Sequence, residues 1–221
     1  MLWGAMDTSR LPSVIQDILS YRRKRRVAFM LSHVSTKEGM NVIDIGCGPN
    51  GRSFDDFVPA DWSVTGVDIL PAAEVHHAHP NFTYVERDAQ HLDCFAAHAF
   101  DLAVSIGMLE HVTDEPSFNR VVSQIRRVAK QYVVVVPYRY GWIEPHFGVP
   151  WFALLPYAVQ VALVKAFNLS NARESVQRDR DYLKKQFRWL SNAEYQAAFT
   201  DATIYVLPTC ETIAITRRCP L

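Results

Sequence analysis

Three aspartates stand at the ends of three short apolar runs. Asp44 lies near the end of 41–45, Asp68 follows 63–67, and Asp88 comes shortly after 82–85. Around the first of them, Gly46, Gly48 and Gly51 form the pattern GxGxxG. Glycine lets the backbone turn sharply and approach a ligand with no Cβ in the way. That spacing alone also suits a nicotinamide dinucleotide. Asp44 points elsewhere, because a carboxylate facing the ligand crevice repels a pyrophosphate and attracts an ammonium group, directly or through water. Asp68 is placed to accept hydrogen bonds from both hydroxyls of a ribose. Asp88 is placed to accept from an adenine amino group, with the N–H of Ala89 donating to a ring nitrogen. Three acids at three strand ends suit a ligand with an amino acid, a ribose and an adenine but no phosphate. The plainer use of Asp68 or Asp88 is to cap a helix.

Elements must exist to hold these groups. The runs 41–45, 63–67, 82–85, 100–106 and 132–136 are continuously apolar rather than alternating. Strands buried on both faces have this composition, and helices on both sides of a parallel sheet bury them so. Helical spacing fills 116–130, with Phe118, Val121, Val122, Ile125 and Val128 on one face. Strand alternating with helix implies βαβ units. Two N-terminal helices are expected, at 11–20 and 21–34. A final helix at 191–199 leads to two close strands, 204–207 and 212–216, which form an antiparallel pair at the sheet edge. The fold class is therefore α/β: doubly wound, mostly parallel, with an antiparallel last strand.

The segments Asp44-Ile45-Gly46-Cys47-Gly48-Pro49-Asn50-Gly51 and Leu109-Glu110-His111-Val112 carry a family likeness. Over 41–137 the chain resembles the class I, Rossmann-like methyltransferases dependent on S-adenosylmethionine, the type 11 group in particular. The resemblance implies a seven-stranded sheet and one methyltransferase domain over 1–221. It implies that Gly46 and Gly48, with Cys47 between them, line the methionine part of the cofactor. Asp68 and its neighbour Ile69 fall at the ribose, Asp88 and Ala89 at the adenine, and Ser105 and Ile106 beside the amino group. Related enzymes carry N-terminal helices, here 1–40, over the cofactor, so Arg22 in the basic run 22–26 is a candidate partner for the methionine carboxylate. Cys47 itself reads as a small packing residue rather than a nucleophile.

Methyl transfer from a sulfonium is an in-line displacement in which the protein aligns the groups and excludes water. An amine acceptor needs only a lone pair, whereas a hydroxyl or carbon acceptor needs a base. The loop after the fifth strand offers Glu144 and His146, and His146 is the candidate base. His111 is a further candidate, although Glu110-His111 reads first as the opening of a helix. The insertion 138–190 reads as a helical lid over the substrate. Its stretch 149–167 is strongly apolar, and 171–188 carries six basic and three acidic residues, which also suits contact with a membrane surface. The expected acceptor is a small or lipid-linked molecule, methylated on oxygen or carbon rather than nitrogen. The alternatives are a nicotinamide-dependent oxidoreductase and a non-catalytic, membrane-associated binding protein on the same fold.

Bulk composition narrows the field. Lys+Arg and Asp+Glu both number 23, and zero net charge argues against a nucleic-acid partner. The four cysteines show no CxxC pair, so no metal site is expected and a reducing cytoplasm is. No basic start followed by an apolar run opens the chain, so no signal peptide is expected. His76, His77 and His79 read as a solvated helix end.

Overall fold

The structure, a computed structural model, describes residues 13–50, 58–77 and 79–217. Seven strands form one sheet: β1 (Asn41–Ile45), β2 (Ser63–Asp68), β3 (Phe82–Glu86), β4 (Phe100–Ile106), β5 (Ala129–Pro137), β6 (Ala202–Leu207) and β7 (Glu211–Thr216). Their order is β3-β2-β1-β4-β5-β7-β6. The first five are parallel, while β7 runs antiparallel to both β5 and β6. The expected closing pair is present, with β7 drawn inward and β6 left at the edge.

The four consecutive valines explain why the strands lack alternation. Val133 and Val135 pack with Met30 of helix α1 (Ser13–His33) on one face of the sheet. Val134 and Val136 pack on the other face with Phe118, Val121 and Ile125 of α2 (Glu115–Val128). Both faces are covered, so both parities must be apolar. Asp114 caps α2, its carboxylate accepting from the Ser117 N–H, and five apolar side chains of α2 are buried. Burying each contributes roughly 1.5–3 kcal/mol.

Two boundaries differ from expectation. The N-terminal stretch is one helix, α1, rather than two, because no glycine or proline interrupts 13–33. Helix α2 stops at Val128, and β5 begins at once with Ala129, Lys130 and Gln131. Lys130 and Gln131 gave no apolar signal, yet pairing with β4 and a polar partner for each side chain hold them in the strand. Lys130 reaches Asp101, and Gln131 bonds the backbone of Ser35.

The insertion is helical, with α3 (Tyr157–Phe167), α4 (Arg173–Arg178) and α5 (Tyr182–Gln186). It builds its own core from Phe147, Phe152, Val164, Val176, Leu183 and Phe187. Helix α6 (Asn192–Ala198) follows, its Ser191–Glu194 capping box intact. Among the described residues no helix is long and apolar enough to cross a membrane. Gly51, Cys219 and the first residues of the helix expected at 11–20 lie outside the described residues.

Asp101 ties three strand starts together. It is buried, and it accepts from the Asn41 N–H at 3.2 Å and from the ammonium groups of Lys130 at 2.9 Å and Lys37 at 3.0 Å. Burial pushes its carboxyl up, but these donors outweigh burial and hold it at about 2. Both lysines are more than half exposed, which discounts the gain to about 1–2 kcal/mol. A depressed carboxyl stabilises above its unfolded value near 4, and the gain disappears as pH falls from there to about 2. In urea unfolding, Asp101→Asn should therefore cost about 1–2 kcal/mol at pH 7 and almost nothing near pH 2. An equal loss at both pH values would contradict this origin.

Candidate functional site

The loop after β1 folds back over β2: the N–H groups of Gly46 and Cys47 donate to the Val67 carbonyl at 2.8 and 3.3 Å. Gly46 and Gly48 both have positive φ, 78° and 66°. A Cβ on Gly46 would lie 2.4 Å from the Met108 side chain, whereas one on Gly48 would meet nothing within 4 Å. Gly46 thus answers to packing, and Gly48 borders open space. Cys47 is buried with its Sγ beside Gly66, in keeping with a packing residue.

Asp44 and Asp68 lie within the last two residues of β1 and β2, and Asp88 lies two residues past β3. Asp44 is buried on β1. Asp68, at the end of β2, accepts from the N–H of Gly48 at 2.9 Å, of Ile69 at 2.8 Å and of Leu70 at 3.3 Å. Asp88 follows β3 and accepts from the backbone and side chain of Gln90 at 2.8 and 3.1 Å. Neither Asp68 nor Asp88 caps an α-helix; each instead anchors the turn that follows its strand. Ile69 is 51% exposed beside Asp68, and Ala89 is partly buried. Ser105 is buried at the end of β4, and among the described residues its hydroxyl finds no hydrogen-bond partner. Ile106 follows, packed against the α1 side of the sheet.

The donor set fits S-adenosylmethionine. The buried Ser105 hydroxyl, unpartnered among the described residues, stands at a strand end next to that of the buried Asp44, and Gly48 borders open space. Arg22 of α1 donates to the Thr209 carbonyl between β6 and β7, and Arg26, one turn on, meets Glu211 at 2.5 Å. Two cations of the basic run thus face the sheet, while Lys24 and Arg25 are exposed.

A second polar cluster stands next to this one. Glu144 and His146 lie in the loop after β5, and the His146 Nδ1 is 2.6 Å from the Glu144 carboxylate. Glu144 also accepts from the Phe147 N–H at 2.9 Å, so this acid, rather than the histidine, ties the loop backbone. Across from His146 Nε2, at 3.8 Å, is Glu110. Glu110-His111 belongs to a 3-10 turn, Leu109–His111, and not to the α-helix expected there. The His111 Nδ1 donates to the Gln186 carbonyl at 2.8 Å. The Phe187 ring packs on both imidazoles, at 5.2 and 4.8 Å.

Burial, partly offset by the charge of His146, lifts the Glu110 carboxyl to about 7. Burial also lowers His111 to about 4, against the pull of the Gln186 carbonyl. Burial opposes charge on His146 too, but the hydrogen bond to Glu144 and the charges of both acids outweigh it and raise its pKa. An imidazole of raised proton affinity between two acids can accept and hold a proton. Glu110 escaped the sequence reading because an acid opening a helix is ordinary. The available signal was a charged residue in an apolar stretch directly after a strand.

His77 and His79 are held by packing and backbone contacts. His79 is buried and bonds the Pro59 carbonyl, and His77 stacks on Phe82 with 3.4 Å between centroids. Among the described residues no helix ends there, and the helical turn nearby is Ala72–Glu74.

Residues 43–136 match a sequence family described as a methyltransferase domain. Comparison with curated proteins gave no match. Among solved structures, an S-adenosylmethionine-dependent methyltransferase from Aquifex aeolicus is 15% identical, with 84% of this chain and 86% of that one covered and a TM-score of 0.51. The partner of the Trm112 methyltransferase activator from Haloferax volcanii is 14% identical, covering 91% and 93%, with a TM-score of 0.53. The CurJ carbon methyltransferase is 12% identical, covering 85% of this chain and 51% of that one, with a TM-score of 0.51.

The two loop glycines give a stability test. Gly46→Ala should cost more than Gly48→Ala in thermal unfolding. Both pay about 1–2 kcal/mol for positive φ, but only the first also meets the Met108 side chain. Equal losses would mean that Met108 yields freely.

Proposed function

We propose that this chain, an S-adenosylmethionine-dependent methyltransferase of the Rossmann-like class, methylates oxygen or carbon on a small or lipid-linked acceptor, with His146 as the base. The cofactor brings a methyl group already activated on sulfonium, so the protein must position, desolvate and deprotonate. The observation that carries the reading is the Glu144–His146 pair opposite Glu110, at the carboxyl end of the sheet where α/β crevices open. An amine acceptor would not require such a base. Glu144 fixes Nδ1 as the donor, so that in the neutral ring the lone pair of His146 lies on Nε2, where it takes the acceptor's proton and the two acids stabilise the imidazolium formed. His111, with its Nδ1 spent on Gln186 and its pKa low, stays neutral and helps shape the pocket.

On the cofactor side, Gly46, Cys47 and Gly48 frame the methionine portion, and Asp44 attracts its ammonium group. Ser105 Oγ and the end of β4 at Ile106 lie beside that group. Arg22 spends one donor on Thr209 and keeps others for the carboxylate. Asp68 receives the ribose hydroxyls, the exposed face of Ile69 packs against the adenine, and Asp88 with the Ala89 N–H reads its edge. Helix α1 covers this site, and 138–190 serves as lid.

The surface of the lid favours an acceptor with an apolar tail, met at a membrane face. Of the nine large hydrophobic side chains exposed among the described residues, six fall in the insertion: Tyr140, Trp142, Trp151, Leu154, Val159 and Phe167. The basic surplus of 171–188 suits anionic headgroups beside them.

The test is transfer of labelled methyl from S-adenosylmethionine to fractionated cell extract. Label should enter the lipid-soluble fraction as ether, ester or carbon-bound methyl. His146→Gln should slow transfer by about 10²–10⁴-fold while leaving S-adenosylhomocysteine affinity intact. Undiminished transfer in that variant, or label on amines alone, would overturn the assignment.

A further inference from the structure

We infer that Glu110, His111 and His146 form a binding site for a borderline divalent metal ion, with zinc the ion whose preferences they meet. One ring nitrogen from each histidine and one Glu110 oxygen all lie within 4.8 Å of one another. Zinc bonds of ~2.1 Å in a tetrahedron place ligand atoms roughly 3.4 Å apart. The Glu110 Oε1 to His146 Nε2 distance is already 3.8 Å. A few tenths of an ångström of side-chain movement brings that edge to the required length.

The surroundings prepare both rings. The Nδ1 of His146 bonds a carboxylate and the Nδ1 of His111 bonds a carbonyl, and both partners are acceptors only. In the neutral ring each Nδ1 therefore carries the proton and each Nε2 the lone pair, which a metal ion takes in place of the second proton. Metal-bound histidines are oriented in this way, by a carboxylate or carbonyl behind the ring. Glu110 supplies the second, independent observation. Both its carboxylate oxygens are buried, and among the described residues neither has a hydrogen-bond partner. A carboxylate removed from water without donors is costly, and a cation compensates it. Two imidazoles and one carboxylate suit zinc, whereas magnesium and calcium prefer oxygen alone.

This site goes beyond the methyl-transfer reading and does not depend on it, but it bears on it. The ion and the acceptor's proton would use the same lone pair on His146, so metal loading and base function exclude each other.

The test uses the full chain, purified in the presence of chelator and freed of it, and zinc chloride as the only added ligand. Competition against a chromophoric chelator should show one zinc per chain. Glu110→Gln and His146→Gln should each weaken binding at least tenfold, and Glu144→Gln by roughly 10–100-fold through the orienting bond. His77→Gln should leave affinity unchanged. Circular dichroism and a cooperative melt establish that each variant is folded. Cobalt(II) offers a readout needing no variant: the unsubstituted protein should develop the intense visible bands of four-coordinate cobalt. No saturable zinc binding, a pale six-coordinate cobalt spectrum, or affinity unchanged in both Glu110→Gln and His146→Gln would overturn the inference. S-adenosylhomocysteine binding measured alongside keeps the two readings separate, since loss of either ligand alone counts against only its own site.

Discussion

The parallel pairing of β1 with both β2 and β4 is the constraint from which the site follows. From β1 the chain winds outward through β2 to β3, then returns across β1 to place β4 on its other side. At that reversal no connection covers the carboxyl ends of the strands, and a crevice opens. Every candidate cofactor residue on the sheet stands at that end. The loop glycines serve the same geometry, since only a tight turn returns the chain over β2 with the Gly46 N–H on the Val67 carbonyl.

The Glu110–His111–His146 cluster depends on the insertion, and the two are joined through backbone groups. The Arg188 N–H donates to the Glu110 carbonyl at 2.7 Å, and the Gln186 carbonyl holds His111. The aromatic core of the insertion continues through Phe187 into the imidazole cluster. Packing and chemistry are therefore coupled: the side chains that stabilise the insertion also remove water from two carboxylates and two histidines. Desolvation strengthens the hold of Glu144 on His146 and leaves Glu110 near its titration point at neutral pH. Trp151, in the same insertion, holds a positive φ of 49°.

Much of this was legible in the sequence, for identifiable reasons. Burial on both faces wrote the central strands as unbroken apolar runs, and the turn after β1 required glycine. The acids at the ends of β2 and β3 could be placed because strand ends face the crevice. What escaped depended on contacts remote in sequence. Lys130 and Gln131 became strand residues only through partners elsewhere, and α1 ran unbroken where a change of composition suggested two helices. Glu110 had only a weak local mark, an acid in an apolar stretch after β4, because its meaning comes from His146 in another loop. His77 and His79 looked like a solvated end because a ring stacked on Phe82 leaves no trace in a polar run.

A crevice at β1 that admits an amino acid and a nucleoside without phosphate underlies the proposed function. Calorimetric titration with S-adenosylhomocysteine tests this most directly, with NADH in parallel and Asp68→Ala as the variant. One-to-one micromolar binding, lost in the variant and absent with NADH, is the expected result. Binding of NADH with none of S-adenosylhomocysteine would contradict the account.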